Sequence, residues 1–279
     1  MTLIETIQAR RSCRTYDGRS LEGDAVAQWN RFLASNTEGP FGGGVRFRLL
    51  ALDELGPEEL SQVGTYGVIK DPRHFIIGAV ATRPQAMEDF GYCMEKNILQ
   101  ATAGGLATCW LAGTFRRSGF ARLMPLREGE VLPAVSPLGH AGESRSLTDR
   151  FFRFSAGSDK RKPWAELFFD GTPDTPLSPA TAGPFATPLE CVRLAPSASN
   201  KQPWRIVRVG EDYHFYLSRT PGYEKFGKDI QLQNMDMGIA LCHFELSAKE
   251  LGLNGAWRRD ASRRAMGDWE YIVTWVTTP

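Results

Sequence analysis

Two stretches of this 279-residue chain are apolar over most of a helical circumference: residues 89–110, DFGYCMEKNILQATAGGLATCW, and residues 236–257, DMGIALCHFELSAKELGLNGAW. They align without a gap, and Asp89/Asp236, Gly91/Gly238, Leu99/Leu246, Ala101/Ala248, Gly105/Gly252, Leu106/Leu253 and Trp110/Trp257 are identical pairs. Each stretch predicts a long helix that ends at a glycine in a left-handed C-cap, and with so little polar face it must be buried on several sides. The alternative is chance agreement between two unrelated core helices. Strand-like runs surround each copy, at 46–52, 74–80 and 132–137 and again at 205–209, 213–217 and 271–276. Leu3, Ile4 and Ile7 share one face of an opening helix. The pattern predicts an α+β protein of two related halves, each a sheet flanked by helices.

Between the halves, residues 170–188 read DGTPDTPLSPATAGPFATP, with prolines at 173, 176, 179, 184 and 188. Such a segment cannot enter a sheet interior and is long for a loop inside a compact domain. In an extended polyproline state it would advance ~3.1 Å per residue, enough to strap one half to the other. The expected division is therefore 1–170, a linker at 171–188, and 189–279.

Charge narrows the ligands. Lys+Arg 33 against Asp+Glu 32 gives +1, no field for nucleic acid or an acidic membrane, so small local ligands are favoured. No stretch reaches the ~20 apolar residues of a membrane span, and the N-terminus lacks the apolar run and cleavage site of a signal peptide. Five cysteines without CxxC spacing suggest neither disulfides nor zinc, and a reducing cytoplasm fits best. The four histidines show no HExxH spacing, and no GxSxG elbow or strand-following GxGxxG is present.

Candidate chemistry lies near both ends. Arg10-Arg11-Ser12-Cys13-Arg14-Thr15-Tyr16 closes the first helix; it suits an anionic phosphate, and equally a solvated helix end favoured by the macrodipole. Leu194-Ala195-Pro196-Ser197-Ala198-Ser199-Asn200-Lys201-Gln202-Pro203-Trp204 reads as ordinary turn chemistry, or as a loop of small residues whose amides can approach a ligand. Lys160-Arg161-Lys162-Pro163-Trp164 is a basic run before a helical 165–169, by itself a surface patch. Gly105-Leu106-Ala107-Thr108-Cys109-Trp110-Leu111-Ala112-Gly113 follows the first repeat, where Cys109 and Trp110 suit packing.

The spellings RRSxRxY and APSxxNxQPW resemble the nitroreductase family of FMN-dependent oxidoreductases, here of a single-chain, duplicated type. In that family both motifs stand close together in one short subunit, and each flavin lies between two subunits. The resemblance implies that Arg10 and Ser12 hold phosphate and ribityl oxygens, with Arg11 between them also cofactor-binding, that Arg14 approaches the flavin pyrimidine, and that Arg161 reaches the same phosphate. It implies that the N–H groups of Ala112 and Gly113 face flavin N5, and that Pro196, Ser197, Ala198 and Asn200 supply a loop that the first half has only as the degenerate 34–37 and 40–41. The second half departs from the pattern at 252–259, which puts a second flavin there in doubt. The implied protein is an intrachain pseudo-dimer, a monomer with one FMN, in which NAD(P)H as co-substrate reduces the flavin and a nitroaromatic or quinone is then reduced in a ping-pong cycle. A flavin-binding protein without turnover, for storage or sensing, is the rival expectation.

Overall fold

Thr2 starts the first helix, α1 (Leu3–Ala9), by accepting the Glu5 N–H at 3.1 Å while the Glu5 carboxyl accepts the Thr2 N–H at 2.9 Å. A carboxyl from the far end of the chain, Glu250, takes the next two orphan donors, Leu3 N–H at 2.6 Å and Ile4 N–H at 2.9 Å. A negative group is favourable at this positive helix end. The first element is thus fixed to the second half of the molecule.

The computed structural model describes residues 1–142, 160–223, 230–260, 262–263 and 265–278. In the first half α1 is followed by α2 (Gly23–Ser35), β1 (Val45–Ala51), α3 (Pro57–Gln62), β2 (His74–Ala81), α4 (Ala86–Ala103), β3 (Ala107–Thr108), α5 (Arg117–Leu123), β4 (Glu130–Val131) and β5 (Val135–Gly139). Its strands form a sheet in the order β1-β2-β5-β3, with β4 paired to the end of β2. β2 is buried along almost its whole length, as its run of branched and aromatic residues requires. Further along the chain lie β6 (Phe168–Asp170), α6 (Pro179–Ala182), α7 (Ala186–Leu194), β7 (Trp204–Val209), β8 (Asp212–Ser218), α8 (Leu232–Glu250), β9 (Gly255–Arg258) and β10 (Trp269–Thr277). The second sheet runs β6-β7-β8-β10-β9, antiparallel except for the β6/β7 pair. The architecture is α+β, with two sheets on either side of a central helix pair. No helix among the described residues is long and apolar enough to cross a membrane.

That pair, α4 against α8, is the centre of the molecule. A Cβ on Gly91 would stand 2.2 Å from the Met235 carbonyl oxygen, and one on Gly238 would stand 2.0 Å from that of Glu88. Gly91 matches Gly238 in the repeat, and in the same register Glu88 matches Met235. The two contacts are therefore one contact made twice, as in a two-fold interface. Side chains beyond the crossing cross-link the helices: Asn234 donates to Glu88 at 2.7 Å and Tyr92 to Glu245 at 2.9 Å. One apolar core, from Ile7 and Leu33 through Phe90 and Ile98 to Phe244 and Trp275, runs through both halves. Gly105 and Gly252, at φ 73° and 72°, stand in the left-handed positions expected just past the two helices.

Two expectations are corrected. The helix expected over 165–169 is only a single 3₁₀ turn (Trp164–Glu166), which leads into β6, whose Phe168 and Phe169 are buried as an edge strand parallel to β7. That strand belongs to the second sheet although it closes the first half in sequence. The proline-rich segment is not an extended strap either. Ser178 caps α6 by accepting the Thr181 N–H, Pro179 occupies the first helical position where no N–H is needed, and α7 already begins at Ala186, inside the expected linker. Leu177, Ala182 and Phe185 are buried, with the Phe185 ring stacked 5.8 Å from that of Phe244.

The crossing sets the first test. Gly238→Ala or Gly91→Ala forces a methyl onto a backbone oxygen and is expected to lower stability by about 3 kcal/mol or more, read from urea denaturation. Gly23→Ala, at a helix position with open space around it, is expected to be neutral or slightly stabilising. Equal effects at all three positions would contradict the close crossing.

Candidate functional site

α1 ends at Arg10, and the chain then runs beside β3: the Cys13 N–H donates to the Thr108 carbonyl at 2.8 Å and Ser12 forms a bridge to the same residue. Beyond β3, Leu111 exchanges two backbone bonds with Val135, which fixes Ala112 and Gly113 next to the 10–14 segment. From the second half α7 delivers the loop 195–203. These pieces line one cleft of about 690 Å³, and it brings together every residue expected to bind a flavin: Arg10, Arg11, Ser12, Arg14, Ala112, Gly113, Arg161, Pro196, Ser197, Ala198 and Asn200. A cavity of that size suits a small organic ligand. Trp110, Tyr223, Leu232, Met235, Asp236 and Ile239 complete the wall.

The two halves are stitched together at this loop. Arg161 donates to Asn200 Oδ1 at 2.9 Å and to the Leu194 carbonyl at 3.0 Å; Asn200 Nδ2 donates to the Lys160 carbonyl at 2.6 Å. The Lys162 N–H donates to Gln202 Oε1 at 2.9 Å. Ser199, Asn200 and Gln202 all adopt positive φ, 45°, 54° and 49°, although none is glycine. Such conformations cost about 1–3 kcal/mol each unless the surroundings impose them. Here they are imposed by the bonds just named, by Gln202 N–H to Ser197 Oγ at 2.9 Å, and by Ala198 N–H to Asp236 Oδ1 at 2.9 Å. The result is a rigid rim with small side chains towards the cleft.

Charge is arranged from below. Arg10 is 7% exposed; burial pulls its pKa down, and the Glu95 carboxyl, 3.9 Å from Nε, pulls it back up. Arg10 Nε has no hydrogen-bond partner among the described residues. Glu95, fully buried on α4, also accepts the Trp110 indole N–H at 2.7 Å and lies 2.9 Å from His243 Nε2, whose Nδ1 donates to the Cys191 carbonyl at 2.8 Å. One core carboxyl thus braces both the arginine and the start of the Trp110–Gly113 turn. Arg11 is exposed at the helix end and, among the described residues, donates to the Gln8 and Arg10 carbonyls. Nothing in the sequence around Glu95 marks it as a site residue, and Asp236 is marked only as one identical pair of the repeat, a signal of position and not of role.

Asp236 is 4% exposed, and burial raises its pKa to about 8, opposed only by the Ala198 N–H. Cys109 is buried, in keeping with a packing role, and Trp110 both packs and borders the cleft.

A family model described as "Putative TM nitroreductase" matches residues 2–248. Among solved structures, one described as a "putative nitroreductase" from Thermotoga maritima is similar over 100% of this chain and 95% of its own, at 19% identity and a TM-score of 0.63, which shows a shared fold. A nitroreductase with bound FMN from Bacteroides fragilis covers 52% of this chain and 91% of its own, at 20% identity and a TM-score of 0.40. A nitroreductase family protein from Clostridium difficile covers 60% and 96%, at 21% identity and 0.44. No curated protein matches the chain.

Asp236 gives the site a pH signature. Its folded pKa lies above the ordinary value of 3.8, so its contribution to stability is complete below about pH 4 and is lost as pH rises towards about 8. Asp236→Asn keeps an oxygen for the Ala198 N–H and cannot ionise. Its stability relative to the wild type is expected to improve steadily between pH 4 and 8, by a few kcal/mol in all, measured by urea denaturation of the ligand-free proteins. A pH-independent difference would contradict the buried, proton-holding carboxyl.

Proposed function

Because the chain belongs to the putative TM nitroreductase family, we propose that it is an FMN-dependent oxidoreductase that binds one FMN per chain in the cleft between its two halves. NAD(P)H is the electron donor and a nitroaromatic- or quinone-like compound the acceptor. The observation that carries this reading is the convergence of the 10–14 segment, Arg161 and the 196–200 loop on one cavity, although they are far apart in sequence. The chain acts as a monomer whose halves play the parts of two subunits.

The residues present fit such a group. Arg10, Arg11, Arg14 and Arg161 give a cationic wall suited to a phosphate and to an electron-rich ring, and the buried Arg10 Nε has no hydrogen-bond partner among the described residues. When bound, FMN supplies the two-electron redox chemistry that no side chain here provides. Arg10, Arg11, Ser12 and Arg161 would hold its phosphate and ribityl oxygens. Arg14 would bring positive charge to the bound ring system, and the N–H groups of Ala112 and Gly113 would be donors to it. Pro196, Ser197, Ala198 and Asn200 close the opposite rim, while Leu232, Met235 and Ile239 exclude water. Donor and acceptor would use this one cleft in turn, which is the basis for a ping-pong cycle.

Anaerobic addition of NAD(P)H to the FMN-loaded protein is expected to bleach its visible absorbance, and a quinone or nitroaromatic to restore it. FMN that stays bound and oxidised under excess NAD(P)H would overturn the enzyme reading in favour of flavin storage or sensing. Arg10→Ala and Arg161→Ala are each expected to weaken FMN by about 2 kcal/mol, roughly thirtyfold, in fluorescence titrations of the apo-protein. Riboflavin, which has no phosphate, is expected to lose only a few-fold, and more with Arg161→Ala because that arginine also holds Asn200. Equal losses for both ligands would make the arginines supports of the loop only.

A further inference from the structure

Asp89 and Asp236 hold matching places in the repeated helices, yet their surroundings differ. Asp89 uses both oxygens: Oδ1 accepts the Phe41 N–H at 2.8 Å, and Oδ2 is ion-paired with Arg83. In the same register the residue matching Arg83 is Ile230, which is buried. Asp236 has therefore kept the loop-holding bond, Ala198 N–H to Oδ1, and lost the cationic partner. Its Oδ2 is buried with no hydrogen-bond partner among the described residues, and the residue lines the cleft beside Met235 and Ile239. Buried polar atoms are nearly always satisfied, so an orphan in a ligand cavity points to a bond made with the ligand.

We propose that Asp236 is a ligand-contacting residue, which donates a hydrogen bond from its second carboxyl oxygen to an acceptor atom of the bound flavin. This rests on the flavin reading of the cleft. Burial, which raises the pKa to about 8, keeps the donor proton in place at neutral pH. The described charged and titratable groups around it are Arg10, Arg11 and Arg14 beyond α1, Arg161 beside the loop, Tyr223 in the cleft wall, and Glu88 across the helix crossing. Glu88 is held by Asn234, which also accepts from Arg219 at 3.1 Å, and none of these groups is within hydrogen-bond distance of Oδ2. Loss of the proton would turn the donor into a second acceptor and place a negative charge against the ligand.

The test is riboflavin affinity against pH, by fluorescence quenching of the apo-protein between pH 6.5 and 9.5. Riboflavin avoids the phosphate ionisation, which lies near pH 6. Wild-type Kd is expected to rise at least tenfold between pH 7 and 9.5, whereas Asp236→Asn, which presents an amide N–H in the same place, stays within about threefold of the wild-type pH 7 value throughout. A second measurement needs no variant: at pH 8.5 riboflavin binding to the wild type should take up a large fraction of a proton per site, read by calorimetry in two buffers. Identical pH profiles for the two proteins, or no proton uptake, would overturn the proposal while leaving the flavin reading intact. Failure of the wild type to bind either flavin at pH 7 would overturn both.

Discussion

The contact on which the rest of the structure depends is the approach of α4 to α8 at Gly91 and Gly238, where each helix lays a missing side chain against the other's carbonyl oxygen. At that distance the helices cannot slide or rotate without a clash, because backbone atoms do not give way as side-chain ends do. Everything in the cleft is hung from this pair. Glu250 at the end of α8 grips the start of α1, whose other end carries Arg10; Glu95 on α4 braces Arg10 and Trp110; Asp236 at the head of α8 holds Ala198. Each half positions residues on behalf of the other.

The two halves differ in the polar partners that matching positions have. In the first half Asn36 donates to the Cys93 carbonyl and to Asn97 Oδ1, both at 2.7 Å, and Asp89 is fully engaged, so the loop there is bound to its own helix. In the second half the corresponding loop is held in a strained conformation by bonds that come partly from residues 160–162 of the other half. Strain held in this way keeps small residues and backbone amides facing a cavity, at a cost that the bonds around it offset.

The buried helices are legible in their near-continuous apolar faces and the strands at 74–80 and 205–209 in their branched residues, because these depend on local pattern; the gathering of Arg10–Arg14, Ala112–Gly113, Arg161 and Pro196–Asn200 is legible only through the resemblance of their motifs to the nitroreductase family. What was hidden depends on distant partners. Residues 168–170 are too few to show a period, and they become a strand only because β7 offers them a parallel edge. The prolines at 179, 184 and 188 read as barriers to structure, but a serine cap and a first-turn position turn one of them into a helix start. Glu95 and Asp236 look like ordinary helix acids until the fold buries them and removes or supplies their partners.

The central claim is that the two halves together make one flavin site and not two. Its most direct measurement is the stoichiometry of FMN on the purified chain, by titration to saturation with the bound flavin counted against protein. One FMN per chain is expected. Two per chain would show that the first half's loop, whose Asn36 amide N–H groups are already taken by Cys93 and Asn97, is nevertheless a site, and would contradict a single shared flavin.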